Sequence, residues 1–466
     1  MNDKALSHLR AFFLGKAYPI AVAALVLLSH LFGLELPLVI LLLSALCAAL
    51  LITRSVVPLV APFLLIFFGI STQHSPSIQT GSGYLGRPLF LVPFVIMVAL
   101  LLISLVYVLR ERGALRFADL RSLPFLIPSG IFVVTLLLNG AFAPGYTASN
   151  LLFALIEGVA LTLLVYVFML GFRGERSEEL IGYFIYISAV IALLIFVETA
   201  ILYFSGDVMV SGSAVKDNIF YGWGVANTAG QALTATLPVL FLGAMRSKRE
   251  AVLCLSAAFL ALVTVLLTLS RSALLVAGVI VLLSLVIGCF FGNTKRIFRI
   301  FLPVLFVVGT LLSVVVWEKA STLVADIFEK GFSDNGRYTL WRTGIDEFLK
   351  YPIFGRGFYG FEELLSEPLF LYIGFFPRML HNTVLELLAA TGVCGFVGYA
   401  VYRFYTARFF FKRPSLAKTM LGLAVLTLLL QSLLDNFLFY VQPTFYYSIA
   451  IAITVLLDEQ RKTVIK

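Results

Sequence analysis

Apolar runs long enough to cross a bilayer follow one another along almost the whole of this chain, and that repetition limits what it can fold into. A helix needs about 20 mostly apolar residues to cross the hydrocarbon core. Candidate spans read at about 17–33, 35–53, 55–72, 89–109, 124–142, 150–171, 181–205, 228–245, 251–269, 273–292, 300–317, 383–402, 419–435 and 438–457. The first three and the eighth are short or carry polar residues, so the pattern predicts 12–14 transmembrane helices. Of the 466 residues, 61% are hydrophobic and 13% charged, where a soluble domain has roughly 45–50% and about 25%. This excludes a water-soluble enzyme, a disordered chain and a secreted disulfide scaffold. The expected fold class is an all-α polytopic membrane protein, with residues 1–466 forming a single integral membrane domain.

The basic residues orient the spans. With the N-terminus cytoplasmic, every inner segment is basic, from Lys4, Arg10 and Lys16 at the start to Arg461, Lys462 and Lys466 at the end, and these segments hold 24 of the 34 lysines and arginines. That is the alternation the positive-inside rule asks for, and it puts both termini in the cytoplasm. The net charge of +9 then reports topology and gives no ground for a nucleic-acid partner. The basic N-terminus is superficially like a signal peptide, but it lacks an A-x-A cleavage site and further spans follow at once, so it reads as a retained first span. Cys47, Cys254, Cys289 and Cys394 lie in apolar segments with no CxxC spacing and read as small buried hydrophobes. Glu157 and Glu198, inside spans, read as carboxyls that hold helix interfaces.

Two outer segments are long: residues 206–227, and a loop over 318–382. Loops of that length in a compact protein are usually functional or disordered. In the longer one, 318–330 and 337–350 carry helical spacing, and Pro352 with Gly355, Gly357 and Gly360 ends the second helix. Its many aromatic residues, Phe354, Phe358 and Phe370 among them, suggest a segment resting on the membrane interface. The neighbouring acids Asp346 and Glu347 read as a solvated face. There is no DxD in the outer segments, and neither a metal nor any other cofactor is expected.

Two outer features could carry chemistry. Arg271, in Ser270-Arg271-Ser272, sits in a tight outer hairpin against the positive-inside trend. It is suited either to a lipid phosphate or to a bound anion, since a guanidinium matches phosphate oxygens with a planar fork. His381-Asn382 stands where the long loop enters the next span, with Glu386 about one turn deeper. An imidazole there could accept a proton at neutral pH, or could simply cap or pack at the helix start. His8, His30 and His74 have no comparable company.

In order, the chain carries Ser-Arg-Ser-Ala (Ser270 to Ala273), Arg-x-x-x-Trp (Arg337, Trp341) and Pro-x-x-Gly-x-Gly (Pro352, Gly355, Gly357). His-Asn-x-x-Leu-Glu (His381, Asn382, Leu385, Glu386) and Gly-x-x-Gly (Gly392, Gly395) follow. This series, over about 215–400, resembles the O-antigen ligase and O-antigen polymerase-like superfamily of bacterial membrane glycosyltransferases. The resemblance implies a type C glycosyltransferase-like fold in the bacterial inner membrane, with the active site on the extracytoplasmic side. The implied reaction moves a glycan from an undecaprenyl-diphosphate carrier to a hydroxyl of an acceptor glycan or glycolipid, without metal. His381 would then be the general base and Arg271 the cation facing the leaving diphosphate. Arg337 and Arg342 would be secondary phosphate ligands or loop anchors, with cation–π stacking of Arg337 on Trp341 an equal alternative. Asn382 and Glu386 would line the substrate site. A family arginine expected before Gly224 and Asn227 is replaced by Tyr221, with Lys216 the nearest cation. Membrane lipids are further expected partners. Ligase is the preferred reading, repeat-unit polymerase the alternative, and a lipid-linked oligosaccharide flippase a second alternative.

Overall fold

The computed structural model describes residues 3–68, 88–116, 123–144, 148–158, 302–303, 307, 337–358, 360, 380–435 and 440–465, together with 162–300 apart from 207, 211–212, 215 and 222–223. The helix expected over 318–330 and most of the span expected over 300–317 lie outside the described residues.

The described chain is almost entirely helical. It runs α1 (Asp3–Leu14), α2 (Ala17–Phe32), α3 (Glu35–Thr53), α4 (Val60–Leu65, between short 3-10 turns), α5 (Pro88–Glu111), α6 (Leu126–Phe142), α7 (Ala148–Gly158), α8 (Leu164–Gly171) and α9 (Ser177–Ser205). It continues through α10 (Ala226–Arg246), α11 (Lys248–Leu267), α12 (Arg271–Phe290), α13 (Arg337–Lys350), α14 (Thr383–Phe411), α15 (Leu416–Ser432) and α16 (Val441–Ile465). Between α9 and α10 lie two minimal antiparallel hairpins, β1 (Met209–Val210) with β2 (Ser213–Ala214) and β3 (Phe220–Tyr221) with β4 (Gly224–Val225).

Six helices among the described residues are long and apolar enough to cross a membrane, and α1 with α2, bent by 70°, can count as a seventh. Most of the remaining expected spans that are described fall on helices that are shorter or interrupted, and the last, expected over 438–457, falls on the 25-residue α16. Residues 37–53, 126–142 and 416–432 form apolar helices below that length, residues 57–68 are split by 3-10 turns, and the 150–171 run divides into α7 and α8. The chain is thus a polytopic membrane protein in which full-length spans frame shorter helices.

Burial follows from that arrangement. α10 is the hub: 94% of its best apolar window is buried, and it packs against α9, α11, α12 and α15. α5, by contrast, is the most apolar class of span with only 17% of its window buried. Its Val92, Ile96, Leu102 and Ile103 are exposed, as lipid-facing side chains are when lipid replaces water. A second cluster joins α6 and α7 to α13 and α14 through Phe132, Phe153, Leu340, Phe358, Leu380 and Leu387.

Serine and asparagine start several helices. Ser247 accepts from Glu250 N at the start of α11, Ser270 from Ala273 N at α12, Asn382 from Val384 N and Leu385 N at α14, and Ser415 from Lys418 N at α15.

Three sequence expectations change. Glu347 does not sit on a solvated face: it is buried, with Lys350 Nζ at 2.7 Å and Arg356 Nη1 at 2.6 Å. Arg403, which falls in the inner segment between the spans expected over 383–402 and 419–435, lies inside α14 because that helix continues to Phe411, and its guanidinium sits 4.7–5.2 Å from the rings of Tyr399, Tyr402 and Tyr447. Lys418, in the same inner segment, is buried and donates to the Lys412 carbonyl at 2.6 Å and to Asp458 at 3.3 Å. For Glu347 the turn after α13 brings Arg356 back to it, for Lys418 a carboxylate 40 positions away supplies the partner, and for Arg403 a helix longer than its apolar run draws the charge inward. The four cysteines are free thiols.

Candidate active site at one end of the bundle

His381 leads into α14 with φ +52°, a left-handed conformation rare for a residue with a Cβ. Partners on both sides hold it there. Asn382 caps α14 and donates from Nδ2 to the Leu433 carbonyl at 2.9 Å. Leu380 N donates to Glu386 Oε2 at 2.6 Å, folding the incoming loop back onto the first turn. His381 Nδ1 lies 2.8 Å from Asp435 Oδ1. Asp435 is buried just beyond α15, and its backbone N–H donates to Gln431 O. Tyr440 also donates toward the same carboxylate oxygen, at 3.4 Å.

A carboxylate only accepts, so the hydrogen bond puts the proton on Nδ1 and leaves Nε2 as the basic nitrogen. Burial pulls the His381 pKa down, but the hydrogen bond and charge of Asp435, helped by Glu386, outweigh burial and the nearby Arg337 cation. The net effect holds the imidazole above its ordinary 6.5. Arg337, at the start of α13, is therefore near enough to act on His381. Arg342 lies further along α13 and is exposed.

The loop after α13 fixes α13 against α14. α14 is broken at Gly392 (φ +61°), and the Pro-x-x-Gly-x-Gly loop fills the break. Arg356 N and Gly357 N donate to the carbonyls of Ala389 and Ala390, each at 2.9 Å, while Val393 N and Cys394 N donate back to Pro352 O and Ile353 O. Asn139 Nδ2 adds a second donor to the Ala390 carbonyl. A Cβ at Gly392 would stand 2.4 Å from Ile353 O, and one at Gly355 would stand 2.4 Å from the Ala390 carbonyl carbon. Two glycine motifs that are separate in sequence are thus one interlock.

Arg271 opens α12 and is exposed. Its neighbour Ser270 is buried and bonds Asn227 Oδ1 at 2.8 Å, which ties the hairpin to the start of α10. Gly230, one turn on, permits the close contact: a Cβ there would lie 2.9 Å from both Ala273 Cβ and Thr268 Oγ1. Tyr221 is fully buried, its hydroxyl 2.8 Å from Thr199 Oγ1. Burial pushes this phenol upward in pKa, and the nearby Glu198 adds to the shift. Lys216 lies half-buried in a 3-10 turn.

The structure therefore gathers His381, Asn382, Glu386 and Arg337 into one cluster, and Asn227 with the Arg271 hairpin into another. Both stand at the same end of the bundle, since α10, α12 and α14 all begin there and α15 ends there. α15 packs against α10, α12 and α14 and so connects the two clusters. The described contacts do not bring Arg342, Tyr221 or Lys216 to His381. Asp435, the partner of His381, does not stand out in the sequence because, 54 positions away, it reads only as a carboxylate at a span end; that it falls at the same end as His381 is the available signal. Among the described residues, no group of three or more His, Cys, Asp or Glu is arranged to hold a metal ion.

Fold and site together define a polytopic helical membrane protein with a histidine–carboxylate pair and an exposed arginine at one end. Residues 256–400 match the family model described as O-antigen ligase, and the stretch from α11 into α14 is O-antigen ligase-like. That segment contains Arg271, Arg337 and His381; Asp435 and Asn227 lie outside it. No curated protein matches the chain.

Proposed function

We propose that the protein is an O-antigen ligase-like glycosyltransferase that moves a glycan from undecaprenyl diphosphate to a hydroxyl of an acceptor glycan. The transfer takes place at the extracytoplasmic face of the bacterial inner membrane, with both termini cytoplasmic. The observation that carries this reading is the 2.8 Å His381–Asp435 hydrogen bond beside an O-antigen ligase-like segment.

In the proposed reaction His381 Nε2 takes the proton from the acceptor hydroxyl as its oxygen attacks the anomeric carbon of the donor sugar. The bond from that carbon to the diphosphate oxygen breaks, and undecaprenyl diphosphate leaves with the bonding pair. Asp435 orients the imidazole and stabilises its protonated form. Arg271, with Arg337 as a second cation, neutralises the charge developing on the leaving group, an effect worth several kcal/mol where water is excluded. Asn382 and Glu386 shape the histidine loop and the acceptor side, while Asn227 holds the Arg271 hairpin. Lys216, Tyr221 and Arg342 are assigned to the periphery of the substrate site. The chemistry uses no metal.

The test is transfer by purified protein supplied with undecaprenyl-diphosphate glycan and either a lipid-anchored core-sugar acceptor or a second carrier-linked repeat unit. Parallel reactions contain chelator. Transfer to the core-sugar acceptor that persists in chelator and is lost in His381→Ala and Arg271→Ala is the expected result. Transfer surviving both substitutions would sink the site, a requirement for added divalent ion would sink the mechanism, and use of the carrier-linked acceptor alone would make the protein a polymerase.

A further inference from the structure

The opposite end of the bundle holds an arginine-lined cleft that the transfer reaction does not use. Arg10, Thr53, Arg54, Glu111 and Arg112 line an open cleft of about 430 Å³ between the end of α1 and the ends of α3 and α5. Arg112 is its scaffold: it donates to the carbonyls of Arg54 and Gly171 at 2.7 and 2.8 Å and pairs with Glu175 at 2.6 Å. Arg54 is held at φ +54°, where glycine would be the easier residue, and its guanidinium is well exposed beside Glu111 at 3.4 Å. Glu111 is itself engaged by the Tyr107 hydroxyl at 2.7 Å. Arg10 reaches across from α1 to the Ile52 carbonyl through Nε and Nη2. Neither Arg10 nor Arg54 spends its full fork of donors on these contacts.

The surroundings say what such a cleft would hold. α1 bends 70° away from α2, so it lies near the membrane plane when α2 crosses, and it exposes Leu9, Phe12 and Leu14. The helices leading away from the cleft expose apolar side chains along their length, Leu51 and Leu41 on α3 and Val106 and Leu102 on α5. A cationic cleft at headgroup depth with apolar walls beneath fits one molecule with a phosphodiester and two acyl chains.

We propose that this cleft is a binding site for an anionic phospholipid, its phosphate between Arg10 and Arg54 and its chains along α3 and α5. The bound lipid closes the gap between the in-plane helix α1 and the α3–α5 pair, so α1 docks more firmly in an anionic membrane.

Native mass spectrometry of the full chain released from detergent, after incubation with phosphatidylglycerol or phosphatidylcholine, tests the site. Preferential retention of phosphatidylglycerol is expected, falling about tenfold or more in the Arg10→Gln, Arg54→Gly double variant. Arg54→Gly alone relieves backbone strain, so it decides the matter if the double variant fails to fold. Equal retention of the two lipids, or phosphatidylglycerol retention unchanged by Arg54→Gly, would overturn the proposal. Inorganic phosphate at millimolar concentration is expected not to displace the lipid; full displacement would make this a soluble-phosphate site and overturn it too.

Discussion

At the scale of single residues, His381 and Asp435 divide one task between them in the proposed transfer. A general base contributes typically about 10²- to 10⁴-fold, and here its tautomer depends on a carboxylate 2.8 Å away. Asp435→Asn is expected to lower kcat by that order. Because Asp435 raises the His381 pKa against burial and Arg337, removing its charge shifts the imidazole down. The acid limb of the pH–rate profile should therefore move to lower pH in the variant. An unshifted limb would show that another group titrates. Glu347 is a second pair-dependent residue. Burial raises its pKa, but hydrogen bonds from Lys350 and Arg356 win and hold it below the ordinary glutamate value. The stability it lends is complete above that ordinary value and is lost as pH falls through the lower folded one. Glu347→Ala leaves Arg356 without its carboxylate and should cost on the order of 3 kcal/mol by thermal unfolding. His381, Asn382 and Glu386 were legible in the sequence because they are neighbours along it. Asp435 and the partners of Glu347 were not, since nothing local distinguishes a paired acid from a solvated one.

At the scale of elements, the break in α14 and the loop that fills it explain two motifs that sequence spacing could only record. Glycine at 355 and 392 is required by positive φ and by backbone contacts at 2.4 Å, and neither requirement shows until the two segments meet. Gly392→Ala combines left-handed strain, about 1–2 kcal/mol, with a clash worth about 1–3 kcal/mol. It should lower the melting temperature and, by loosening α14 behind His381, reduce transfer as well; full activity in a folded variant would separate the interlock from the site. The Ser270–Asn227 link is milder. Ser270→Ala removes a helix cap and that hydrogen bond, with an expected loss of about 1 kcal/mol. Helix positions were largely readable from hydropathy. Their lengths were less so, because α14 runs past its apolar stretch on the strength of the tyrosine rings around Arg403.

At the scale of the whole molecule, charge and hydropathy had already separated the two ends. Arg54, Arg112, Arg246 and Lys462 collect at one, and His381, Asp435 and Arg271 at the other. The orientation can be checked by cysteine labelling, with the four native thiols as background. Arg176→Cys and Ser205→Cys bracket α9, and in intact cells a membrane-impermeant maleimide should label only the second. The reverse pattern would invert the proposed topology and put the histidine on the cytoplasmic side. The broken α14 has a consequence for biogenesis. Its freed carbonyls would be costly in hydrocarbon without donors, and the donors, Asn139 Nδ2 and the backbone N–H groups of Arg356 and Gly357, leave the ribosome before α14 does. Chain order therefore delivers the plug ahead of the helix that needs it, and a rearranged gene encoding α14 first would expose those carbonyls to lipid until the loop was made.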